Sequence, residues 1–229
     1  MSSVSDLAAV VCHGSYYTPA PYGPPSGALL DVLRPLVSQG KEVLIVGHHA
    51  GSWDAAEAAQ PNLQAKSWKD KGLKGGIIGV FFIGAFIIPV GQSINGFFQP
   101  EGSNPITPPL MRFHKRGIDG LGTMVQPEVF LFNGIDQAEA EKWKATLTRS
   151  PILSSKITND AYAALPCAYL VLEKDRTLPK EYQEGMVAAQ AQETDEFTVY
   201  RCPSGHSPHL TWTDGLVNTV QDFVEKIRS

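Results

Sequence analysis

Gly47-His48-His49-Ala50-Gly51 constrains this chain more than any other stretch. It lies between an apolar, strand-like run at 43–46 and a helix-like run at 52–60. A strand, a sharp turn flanked by glycines and then a helix is the setting of a nucleophile elbow, G-x-S-x-G. The glycines are needed because larger side chains there collide with neighbouring backbone, and the tight turn pushes its central side chain into the cleft above a sheet. Here the glycine spacing is kept, but the central residue is His49. An imidazole cannot do what a serine alkoxide does, so the turn predicts a fold more firmly than it predicts a reaction.

The rest of the chain supports a sheet around that turn. Residues 7–12 form a short apolar run ending at His13-Gly14, and residues 77–82, 167–172 and 197–201 read as further strands. Prolines 19, 21, 24 and 25 make 15–27 a loop, and Leu29, Leu30, Leu33, Leu36 and Val37 give 28–38 a helical stripe closed by Gly40. Pro35 bends that helix. Helices are also expected at 137–147, 180–192 and the C-terminus, where Leu216, Val220, Phe223, Val224 and Ile227 share a face. A Lys-rich loop leads into the third strand. From 91 to 165 the alternation breaks down, as expected of an insertion that covers a site. Alternating strands and helices imply an α/β fold with a doubly wound, mostly parallel sheet, whose ligands bind beyond the carboxyl ends of the strands. With 229 residues there is room for one such domain, taken as 1–229 with 91–165 as its lid.

Bulk properties exclude several functions. A net charge of −4 without a basic cluster argues against nucleic acid as a partner. Residues 76–90 are the most apolar stretch, but they are too few for the ~20 a membrane span needs, and they contain Pro89. No basic segment followed by a long apolar one opens the chain. Cys12, Cys167 and Cys202 are odd in number and outside any paired ligand motif, so they read as buried thiols of a cytoplasmic protein.

At the predicted strand ends lie His13-Gly14-Ser15, His49, Asp175 and His206. An acid after a late strand and a histidine after the last is the order Ser…Asp…His with only the first member changed. Over nearly the whole length the chain resembles the small α/β-hydrolases related to plant methylesterases and hydroxynitrile lyases, in their microbial, especially fungal, branch. The matching pieces are VVCHGSYYTPAPYGP, KEVLIVGHHAGSWDAAEAA, GGIIGVFFIGAFIIPVGQS, LEKDRTLP with Gln183, and GHSPHL. The resemblance implies that Asp175 and His206 stand at the family's acid and base positions, and that the amides of Ser15 and Ala50 form its oxyanion site. Tyr16 and His209 are expected to line the substrate pocket. Between Gly14 and Val43 there is room for one crossover helix, where the family has a helix, a strand and another helix. The first strand should therefore be a sheet edge, thinly covered on one face, and a homodimer is a possible consequence.

His49 has three readings. A disabled site would make the protein a ligand binder. A metal ligand would join His206, His209 and Asp175, but no H-E-x-x-H-like spacing supports it, so no metal and no cofactor is expected. An acid–base residue would make the protein a lyase, cyclase or isomerase acting on a small apolar molecule, for which the fungal resemblance implies the polyketide type; hydrolysis by activated water is a variant of this reading. The third reading draws on a difference between two imidazoles. The helix N-terminus after His49 disfavours its cation, whereas Asp175 favours a proton on His206. Beside these, His48, His13 and Asp54 read as structural or solvated, Ser52 as the cap of the helix after the elbow, and His114 has no assignable role.

Overall fold

The computed structural model describes residues 6–14, 26–99, 107–114, 121–151, 154–192 and 197–229. The chain begins with β1 (Leu7–His13), α1 (Ser26–Ser38), β2 (Glu42–His48), α2 (Gly51–Ala58), α3 (Ala65–Lys69) and β3 (Gly76–Ile83). Then come α4 (Ile94–Phe97), β4 (Met111–Phe113), β5 (Leu121–Met124), α5 (Pro127–Phe130), α6 (Gln137–Lys144), β6 (Ser150–Pro151) and α7 (Ala161–Ala164). Last are β7 (Cys167–Leu172), α8 (Lys180–Gln190), β8 (Phe197–Cys202), α9 (Pro208–Thr211) and α10 (Thr213–Arg228). The Lys-rich stretch expected as loop thus carries α3, and the irregular stretch carries a second sheet.

Among the described residues, five strands form the main sheet in the order β1-β2-β3-β7-β8, all parallel. Its central strands are near-continuous runs of Val, Ile, Leu and Phe because both faces are covered, and every residue of β7 is buried. Leu30, Leu33 and Val37 of α1 join Trp53, Ala55 and Ala56 of α2 and Met186 and Val187 of α8 on one face. On the other face Phe223 and Val224 of α10 pack against Phe81, Ile83, Leu170 and Leu172. The edge strand β1 is less protected: Val11 is 63% exposed although its register partner Val46 is buried.

The two ends of the insertion 91–157 meet at one place, since Gly91 N–H donates to Ile157 O and Ile157 N–H to Gln92 O. The stem is tied to α2, where Glu57 accepts from the Thr158 hydroxyl and from the amides of Thr158 and Asn159. Within the insertion, β4-β5-β6 form a small antiparallel sheet. Met124, Leu131, Phe132 and Ala140 form its own core, against which Leu210 of α9 packs. His114 meets the Thr123 hydroxyl across this sheet. No helix among the described residues is long and apolar enough to cross a membrane.

A histidine-rich candidate active site

Strand register brings the site together. Pairing of β1 with β2 sets His13 opposite His48, and pairing of β2 with β3 sets His48 opposite Ile83. The next residue, His49, adopts φ +50°, a left-handed conformation that costs a non-glycine residue about 1 kcal/mol or more. It is held there from both ends of its peptide. His49 N–H donates to Ile83 O at 3.2 Å, while His49 O accepts from Ser52 N–H (3.2 Å) and the Ser52 hydroxyl (2.6 Å). The glycines act as expected: a Cβ on Gly47 would lie 2.9 Å from Ser52 Cα, and one on Gly51 would lie 2.3 Å from Cys12 O.

The structure corrects two expectations here. Ser52 does not cap α2; it is fully buried and its hydroxyl reaches back to His49 O and to Phe86 O (2.8 Å), so it fastens the elbow. Asp54 is not an exposed charge. It is largely buried, and desolvation pushes its carboxyl up to about 6.

Beyond the strand ends, His206 Nδ1 pairs with Asp175 Oδ2 at 2.8 Å, with both side chains fully buried. Asp175 is positioned by its other oxygen, which accepts from the amides of Thr177 (2.7 Å) and Leu178 (3.0 Å). The His49 and His206 rings meet edge to face with centroids 4.7 Å apart, and Phe86 packs at 4.7 Å on His49. His49 Nδ1 is buried without a hydrogen-bond partner among the described residues. His48 lies behind this pair, its Nε2 2.8 Å from His206 O, and therefore donates to that carbonyl.

Thus five of the six histidines cluster at one end of the sheet. His13 packs at a tilt against His48, with ring centroids 4.4 Å apart, and meets His209 edge to face at 5.1 Å. Burial is the first cause of their shared electrostatics. It drives His48 and His49 well below the ordinary imidazole value of 6.5, with neighbouring histidines adding to the effect. Burial takes His13 to about 3 and His209 to about 4. His49 is therefore neutral mainly through desolvation, and not mainly through the helix dipole expected from the sequence. His48 and His13, read as packing residues, prove to form a polar wall at the site. Five imidazoles in one place were not legible from sequence spacing alone.

Ala50 N–H has no acceptor among the described residues, as an oxyanion donor requires. Gly14 lies directly against it: a Cβ there would sit 2.5 Å from Ala50 N and 2.2 Å from Gly51 N. Ser15 and Tyr16 lie outside the described residues. No group of three His, Cys, Asp or Glu side chains among the described residues is arranged to hold a metal ion.

A parallel sheet, a strained turn at the end of its second strand and a buried Asp–His pair from two later loops define an α/β-hydrolase architecture with histidine at the turn's apex. The Alpha/beta hydrolase family profile matches residues 7–219, and the chain belongs to that family. It is 25% identical to the α/β hydrolase nvfD of Aspergillus novofumigatus over 185 residues, covering 80% of this chain and 70% of that protein. Among solved structures it is similar to a polyneuridine aldehyde esterase variant, with TM-score 0.66, 14% identity and coverage of 93% and 97% of the two chains. It is also similar to a tomato methylketone synthase I variant complexed with β-ketoheptanoate, with TM-score 0.57, 10% identity and coverage of 96% and 98%.

Proposed function

We propose that the chain is a non-hydrolytic acid–base enzyme, of cyclase, lyase or isomerase type, acting on a small, largely apolar carbonyl metabolite of the polyketide class. The observation that carries this reading is the elbow apex. A neutral imidazole with an unpartnered buried nitrogen stands in contact with a second imidazole that is paired with a carboxylate. In this reading His49 takes the proton from the carbon next to the substrate carbonyl. The resulting enolate oxygen is met by Ala50 N–H, with Ser15 N–H as the second donor the family resemblance implies. The proton that His49 has taken passes to Nε2 of the adjacent His206, whose Nδ1–H is held by Asp175, and from there to carbon, to the alkoxide of a ring closure or to a leaving group, so that both rings end as they began. Neutral imidazoles and the Phe86 ring suit an uncharged substrate.

The test uses a simple 1,3-diketone in D₂O, with exchange of its central protons followed by NMR. The parent protein should accelerate exchange, and His49→Ser should lose roughly the 10²–10⁴-fold that a general base contributes. The same variant should gain hydrolysis of small activated esters, because the new serine can pass its proton to His206. Full retention of exchange by His49→Ser would refute the role of His49. Thermal stabilisation by the diketone without exchange would favour a binder.

A further inference from the structure

Asp175 and His206 come from two separate loops, after β7 and β8, and a hydrogen-bonded pair at 2.8 Å needs both loops held to a few tenths of an ångström. His206 is held at its ring by Asp175 and at its carbonyl by His48. Its amide is held by a residue of the insertion: His206 N–H donates to Asn133 Oδ1 at 3.4 Å. The other end of the same side chain donates from Nδ2 to Lys174 O, 2.9 Å away on the residue before Asp175. One carboxamide thus spans the acid loop and the histidine loop, using its acceptor on one and its donor on the other.

Steric contact strengthens this link, because the first hydrogen bond is long. A Cβ on Gly205 would fall 2.4 Å from both Asn133 Nδ2 and Oδ1, so the amide lies flat against the backbone just before His206. The two loops are also tied by backbone bonds from Glu173 N–H to Cys202 O and from Lys174 N–H to Ser204 O, both at 3.0 Å, but neither of these reaches the amide of His206. A cavity of about 240 Å³ opens beside the two loops, lined by Asn133, Gly134, Lys174, Ser204, Gly205 and Trp212. Asn133 itself is rigidly presented. The segment carrying it starts at Gln126 with φ +50° and turns at Gly134 with φ +90°. Leu131 and Phe132, just before Asn133, are anchored in the insertion's core. A second tie, Ser207 Oγ–H to Leu131 O at 2.8 Å, joins the insertion to the same loop without touching the amide of His206.

We propose that Asn133 is a positioning residue, through which the insertion sets the Asp175–His206 pair. The importance of that pair rests on the acid–base reading above, but the test reads hydrogen-bond geometry and not turnover, so the two can fail separately. The probe is the low-field proton NMR signal of His206 Nδ1–H in the full chain, assigned by its disappearance in Asp175→Asn. In Asn133→Asp, which has the same shape but no donor for Lys174 O, solvent exchange of that proton should accelerate by about 10-fold, the equivalent of one hydrogen bond. Asn133→Ala should accelerate it at least as much. Ser207→Ala, which removes the other tie, should leave the signal and its exchange unchanged while lowering the melting temperature. Exchange within a factor of about two of the parent in Asn133→Asp, well under one hydrogen bond's worth, would overturn the proposal. The parent alone supplies a further arm. The His206 backbone N–H should be as protected from exchange as the Lys174 N–H, which bonds to Ser204 O, and a markedly faster rate would also overturn it.

Discussion

Acidification from pH 7 to pH 5 is the perturbation to which this site should respond most strongly. His48 and His49 are held well below their ordinary 6.5 by burial, and burial also lowers His13 to about 3 and His209 to about 4. A group lowered in the fold is protonated first in the unfolded chain. Stability is therefore complete above about pH 6.5 and falls as the pH drops below it, by about 1.4 kcal/mol per pH unit for each such group. Between pH 7 and pH 5 that amounts to about 2 kcal/mol for each deeply buried ring, and about half as much for half-buried His13 and His209 after allowing for solvent screening. Asp54, raised to about 6, has the opposite sign: it takes up its proton more readily in the fold and returns about 1 kcal/mol. The net loss is about 5 kcal/mol, a large part of the ~5–15 kcal/mol that holds a domain together. Urea unfolding followed by circular dichroism at pH 7, 6 and 5 would measure it. A free energy of unfolding that changes by less than about 1 kcal/mol across that range would show that the imidazoles are not neutral and buried together.

Other perturbations test the framework. Tyr169→Phe removes a hydroxyl that accepts from Ala85 N–H (2.8 Å) and donates to Ala85 O (2.7 Å), leaving both buried, and should cost about 2–3 kcal/mol in urea titration. Gly14→Ala forces a methyl into the Ala50–Gly51 backbone and should yield little soluble protein, or a fold destabilised by several kcal/mol, roughly what severe overpacking costs. Glu57→Gln weakens the stem of the insertion at Thr158 and Asn159 and should speed proteolysis within 91–157 before the sheet unfolds. Sedimentation should detect a dimer formed through the exposed β1 edge, and Val11→Lys should shift it to monomer; a parent that stays monomeric at high concentration would remove that proposal.

The main sheet can be read from the chain because each buried strand is a nearly unbroken apolar run, and the expected strand at 167–172 coincides with Cys167–Leu172. The elbow was legible because its glycines answer to contacts that leave no room for a Cβ. The edge position of β1 followed from a chain segment too short to hold another strand. What escaped notice depended on contacts distant in sequence. The small sheet of the insertion has strands of two to four residues, too short to show a period. Asn133 carries no pattern of its own, and only the fold brings it to Lys174 and His206. Likewise, the grouping of His13, His48 and His209 depends on strand register and on the turn into α9, which spacing does not encode.

The strand order β1-β2-β3-β7-β8 also bears on how the protein is made. Each strand of the main sheet pairs with the strand of that sheet synthesised immediately before it. No strand has to wait for a later one to be inserted between it and its partner. Along a growing chain, β1, β2 and β3 can close successively through short crossovers, each with a small loop-entropy cost. The one long closure runs from Ile83 to Cys167, and the paired backbone bonds of Gly91 and Ile157 shorten it once the insertion has folded. The slow step of folding should therefore be the docking of β7 onto β3, with the nascent N-terminal half already ordered.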